Sequence, residues 1–301
     1  MKSMNNLFII LIFSLGFAEQ ISASSCCGGA SAIPVLILGD EKAQMGLGLT
    51  QSKVSDYVDR DSLWQKASAK DQTDTVILNG SLVFQDRWQA GVSLPIVQRS
   101  VSDQKVSGIG DLTVNVGYEY LTDWDYNPWR PKGLGYLQIS VPSGKSIYDT
   151  DSMGAVNGLG KGFWSFGLGT ILSKNIGRLD GFANFEVRNS LERSQNDQNA
   201  IRKYKPGFGT ITGLGLGYNF ENLRVGAGLS FNYDDPINVS GDINSKGQSQ
   251  QFVAASVAMN LALRSEWSIA INYSDQSVFG SPSNVALSKS LSVQLQKRWL
   301  R

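Results

Sequence analysis

The chain has 301 residues and a formal net charge of +1, a balance that argues against a nucleic-acid binder with its strong basic excess. Glycine is abundant at 32 residues and proline sparse at 8. Past the N-terminus there is no run of about 20 apolar residues, which excludes a helical membrane protein.

Residues 1–23 read as a cleaved signal peptide. Lys2 supplies the positive start, Leu7 to Ala18 the apolar core, and Ile21-Ser22-Ala23 a small-residue cleavage site. Residues 24–40 then read as a flexible periplasmic segment. Cys26 and Cys27 within it are adjacent, so they cannot staple distant parts of a fold. The chain has no histidine to complete a metal site beside them. They offer a contact for a periplasmic partner.

From residue 41 to 301 apolar and polar residues alternate, the period-2 signature of strands with one apolar face. In chain order the apolar faces are Trp88 to Ile96 and Leu112 to Tyr120, then Trp164 to Leu172 and Leu179 to Val187. They continue with Phe208 to Phe220, Leu223 to Tyr233, Val253 to Leu263, Trp267 to Tyr273 and Leu291 to Trp299. The opposite faces hold Gly, Ser, Asn and Thr, where a soluble sandwich would place Lys and Glu. In hydrocarbon every backbone polar group must pair internally, so strands can span only as a closed barrel. The pattern predicts one all-β domain, a transmembrane antiparallel up-and-down β-barrel of about twelve strands in a bacterial outer membrane. Outer-membrane lipid and lipopolysaccharide are its surroundings.

Short links near residues 86, 176, 221 and 265 alternate with long polar stretches, as periplasmic turns alternate with outer loops. Thr122 to Lys132 is the exception, long on the short side. Trp88, Tyr120, Trp124, Trp129, Tyr136, Phe220, Trp267 and Trp299 fall beside the short links and form the expected aromatic girdle. The candidates for the pore lining are Asp111, Asn115, Glu119, Asn184, Glu186, Arg188, Gln294, Gln296 and Arg298, polar residues on the opposite faces.

The order Gly108-Ile-Gly110-Asp111, Tyr118-Glu119-Tyr120, Gln138-Ile-Ser-Val141-Pro142-Ser143-Gly144 and Gly158-Leu-Gly160-Lys-Gly162-Phe163 resembles an outer-membrane transporter family. That family is named after the MetA pathway of phenol degradation. The resemblance is strongest over about residues 108–175. It implies a Gram-negative outer-membrane barrel with a transport role and no catalytic residues to carry over.

Catalytic and cofactor motifs fail. The absence of histidine removes Ser-His chemistry and His-based metal or haem sites. Pro142 to Ser146 ends like a phosphate loop, but Ile139 stands where the first glycine belongs. Asp149 to Gly154 mimics a calcium loop with Met153 in a ligand position. No enzyme, cofactor or metal is expected. Two readings remain open for the loop Lys145 to Gly162, a constriction folded into the pore or a surface loop. Basic residues Arg202, Lys203 and Lys205 would meet lipopolysaccharide phosphates or simply solvent. The expected function is diffusion of small hydrophilic or amphipathic solutes through a polar lumen. The alternative is a plugged structural barrel acting through its loops or its Cys26-Cys27 tail.

Overall fold

The computed structural model describes residues 34–124, 127–146, 148, 156, 158–197, 200–241, 244–264 and 266–300. Residues 1–23, expected to be a signal peptide, Cys26 and Cys27, and the calcium-like stretch at 149–154 lie outside the described residues.

Twelve long strands form the wall. They are β1 (Glu41–Val58), β2 (Asp71–Phe84), β3 (Trp88–Val101), β4 (Leu112–Leu121), β5 (Lys132–Val141) and β6 (Ser165–Ile176). The second half holds β7 (Leu179–Ser190), β8 (Phe208–Asn219), β9 (Leu223–Asp234), β10 (Gln250–Arg264), β11 (Trp267–Asp275) and β12 (Val285–Leu300). Each pairs antiparallel with its sequence neighbour, and β12 returns to β1, paired from Glu41↔Leu300 to Val58↔Val285 with a register shift near each end. The sheet is a closed up-and-down barrel with no free edge, as spanning hydrocarbon requires.

At one rim the links are tight. Gln85 and Asp86 take left-handed backbone, with φ of 51° and 61°, the geometry that matches a hairpin turn to strand twist. Gly177 does the same at φ 59°, where glycine carries no Cβ penalty. At the other rim the strands run on into long loops. Trp64–Lys66 and Gln104–Ile109 extend the wall there. Arg193–Asp197, Ala200–Lys205, Asn238–Gly241 and Ser245–Lys246 form a separate four-stranded sheet.

The faces are inverted relative to a soluble protein. Leu168, Leu214 and Leu216 point outward, with Leu216 73 % exposed. Asn115, Glu119, Asn184, Glu186 and Arg224 point inward and are buried. This arrangement is stable only when the outer solvent is apolar.

The glycine-rich face of β8 does not line a wet lumen. Its glycines seat long side chains from neighbouring strands. A Cβ on Gly213 would strike Asn184, on Gly215 the Phe182 ring, and on Gly217 the Arg224 guanidinium.

Candidate functional site in the barrel lumen

The half of the lumen near the tight turns is packed with side chains. Arg224 and Asp180 pair there through two bonds, Nε to Oδ2 at 2.8 Å and Nη2 to Oδ1 at 2.5 Å. Asn219 also donates to Asp180 Oδ2, at 2.7 Å. Arg298 donates to Glu41 at 3.1 Å, and Lys132 lies 3.2 Å from Glu119. Gln296 donates to Gln44 at 2.7 Å. A side chain lining open water keeps accessible surface, yet Arg224 and Arg298 each keep only 4 %. The charges instead neutralise one another in pairs along the inner wall, between adjacent or next-but-one strands.

The chain before β1 occupies part of the same half of the lumen. Residues from Pro34 on, in the stretch expected to be flexible, lie against the inner wall. The Ile37 N–H donates to Gln89 Oε1 at 2.8 Å, and Gln89 Nε2 donates to the Ile37 carbonyl at 2.9 Å. The Gln89 carboxamide thus serves the segment as a neighbouring strand would, satisfying backbone groups taken out of water. Gln44 and Lys132 donate to the carbonyls of Leu36 and Gly39. Leu36 enters a socket of Leu134, Tyr136 and Ile171. Gly91 admits the backbone, since a Cβ there would overlap the Val35 carbonyl.

The loop-side half is more open. Asp111 accepts N–H bonds from Gly144 at 3.1 Å, Lys161 at 2.6 Å and Gly162 at 3.4 Å. Ser146, fully buried, donates to the Lys161 carbonyl at 3.2 Å. These bonds tie the described part of loop 145–162 to an inward-facing residue at the mouth. Replacing Asp111 by alanine removes hydrogen bonds to a charged acceptor, and losing about 2 kcal/mol would raise loop opening about 30-fold. Limited proteolysis is expected to cut within 145–161 at least tenfold faster while the barrel stays intact; unchanged cleavage would show that Asp111 does not hold the loop.

Beside that loop a cavity of about 410 Å³ opens at the mouth. Tyr148, Phe163, Ile237 and Val239 form its apolar wall, and Lys161, Arg188 and Asp234 its charged wall. Arg188 Nη2 donates to both Asp234 oxygens, at 2.6 and 2.8 Å. Lys161 lies 3.8 Å from Asp234. Tyr148 meets Phe163 edge-to-face and Tyr204 at a tilt, at 5.5 and 4.4 Å between ring centres, and burial pushes its phenol above the usual range.

All nine expected lining residues face inward, but they do different things. Asn115, Glu119, Asn184, Glu186, Gln296 and Arg298 are buried within the filling, whereas Asp111, Arg188 and Gln294 are half-buried. Of the expected girdle, Trp88, Tyr120, Trp124, Phe220 and Trp267 are exposed at the tight-turn rim. Trp299 is half-buried. Trp129 stands 91 % exposed on the long link between β4 and β5. Lys297 lies over both Trp267 and Trp299. Tyr136 is not on the rim. It shares the inward face of β5 with Leu134 and donates to Glu186 at 2.9 Å. Asp180, Arg224 and Gln89 join the expected residues on the inward faces, where strand parity alone puts each opposite an outward apolar residue.

A closed antiparallel barrel with a lipid-type outer face and a charged lumen defines an outer-membrane β-barrel, placed in the bacterial outer membrane. No protein-family model matches the chain. Its fold is similar to the COG4313 outer membrane channel from Pseudomonas putida F1. That match has TM-score 0.72 at 15 % identity and covers 88 % of this chain and 98 % of that one. It is also similar to the TodX ΔS2S3 mutant, a monoaromatic hydrocarbon channel. There the TM-score is 0.51 at 12 % identity, over 87 % of this chain and 91 % of that one.

Proposed function

We propose that this barrel is a passive or substrate-gated channel for small hydrophilic or amphipathic solutes and not an enzyme. The observation that carries this reading is a closed barrel holding a partly apolar, partly charged cavity at its mouth, above a half-lumen narrowed by paired side chains and by the segment Pro34–Gly39 seated on the inner wall. Solutes enter from the loop side, and Lys161, Arg188 and Asp234 bias them by charge. The segment Pro34–Gly39 must yield before they pass. Fold similarity to solved channels supports the reading without supplying a solute. The folded protein in planar bilayers is expected to give discrete conductance steps, and liposomes carrying it to swell in small sugars or amino acids. Silence in both assays, with the segment deleted as well, would reverse the proposal.

The near-complete burial of inward charges favours a second reading, a plugged barrel that acts through its loops or through Cys26 and Cys27 on a periplasmic partner. Replacing both cysteines by serine, followed by partner capture, separates the two. An unchanged partner set removes the tail from consideration. Outer-membrane lipid and lipopolysaccharide surround the barrel in either case.

A further inference from the structure

The four-stranded sheet beyond the barrel has two unlike faces. Residues opposite one another in an antiparallel pair share a side. Tyr204 pairs with Val239, so both lie on one face. Tyr204 is buried against Tyr148, and Val239 lines the mouth cavity beside it. That face therefore looks toward the mouth. Lys205 pairs with Asn238 and Asn238 with Lys246, while Lys203 pairs with Ser240 and with Ser194. Three lysines thus occupy the opposite face, with serine and asparagine as their described neighbours.

Strand spacing puts Lys205 and Lys246 about 10 Å apart across Asn238, and Lys203 about 7 Å along the strand from Lys205. All three are exposed. Among the described residues none is within ion-pair distance of a carboxylate. Beneath the sheet, on the outer wall of β6 to β8, Trp164, Phe166, Leu191 and Phe208 are exposed. Cations above an apolar band match an amphiphile that is anionic at its head and apolar at its tails.

We propose that Lys203, Lys205 and Lys246 form a docking surface for the phosphates of a glycolipid headgroup in the outer leaflet. Its acyl chains lie on Trp164, Phe166 and Phe208. The surface rests on membrane placement and does not depend on solute passage. A free anion would not need the apolar band, and the lysines face away from the mouth through which solutes enter.

The test is binding of bisphosphorylated lipid A to the folded full-length barrel in mild detergent, read by native mass spectrometry. The Lys203→Gln, Lys205→Gln, Lys246→Gln triple variant is expected to bind about tenfold or more weakly, since each lysine near an anionic headgroup contributes substantially. The corresponding triple arginine variant should bind as the wild type does, and so should a triple glutamine variant at Lys66, Lys70 and Lys105. Dephosphorylated lipid should bind as weakly to the wild type as lipid A does to the first variant. Full binding by that variant, or equal loss in the Lys66, Lys70, Lys105 variant, would overturn the proposal. So would inorganic phosphate competing as well as the lipid.

Discussion

Replacing Gly91 by valine is expected to unseat the segment Pro34–Gly39 and raise single-channel conductance severalfold. The side chain would occupy the space now held by the Val35 carbonyl, and backbone cannot be compressed to share it. Gln89→Leu attacks the same closure from its bonding side. It keeps the volume but removes the two bonds to Ile37. At about 1 kcal/mol each, their loss shifts a two-state closure about 30-fold toward open. Deleting 34–39 gives the upper limit. Liposome swelling by a small sugar should rise in the order wild type, Gln89→Leu, Gly91→Val, deletion. If the folded Gly91→Val barrel conducts no better than the wild type, the packed charges rather than the segment set the resistance.

Arg224→Ala should cost about 3–5 kcal/mol of barrel stability, the loss typical of removing one partner from a buried pair. Asp180 would keep Asn219 as a donor but lose the guanidinium that neutralises it. The cavity left over Gly217 and Gly226 adds to the cost. Urea unfolding followed by tryptophan fluorescence should show the midpoint fall. The double variant Arg224→Met with Asp180→Leu should recover most of it, because replacing both charges removes the desolvation cost along with the attraction. A single variant as stable as the wild type would mean that water already reaches this pair.

The barrel itself was legible because period-2 alternation is dictated by backbone geometry and the solvent on each side. Leu214, Leu216 and Tyr218 could only face lipid once glycines stood between them. The filling of the lumen was not legible, because it depends on which residues meet across strands. Gly213 reads as a small lining residue until register places Asn184 against it. Tyr136 departs from the expected girdle for a related reason. β5 carries apolar residues on both faces, Leu134 and Tyr136 inside and Leu137 and Ile139 outside, so its alternation hides the inward socket. That break in the pattern was the available sign that something apolar, here Leu36, lies within. The segment itself carries no periodic signal, being too short and held by side chains from four separate strands.

The seam between β1 and β12 joins the two ends of the chain. Every other pairing in the wall joins sequence neighbours, so this seam alone has to bring the two ends of the barrel sequence together, the kind of long-range closure that forms most slowly. Pro34–Gly39 stands immediately ahead of the first seam residue, Glu41. It can therefore be laid against β3 and β5 while the wall is still open. A segment seated at that stage need not be threaded into a finished tube.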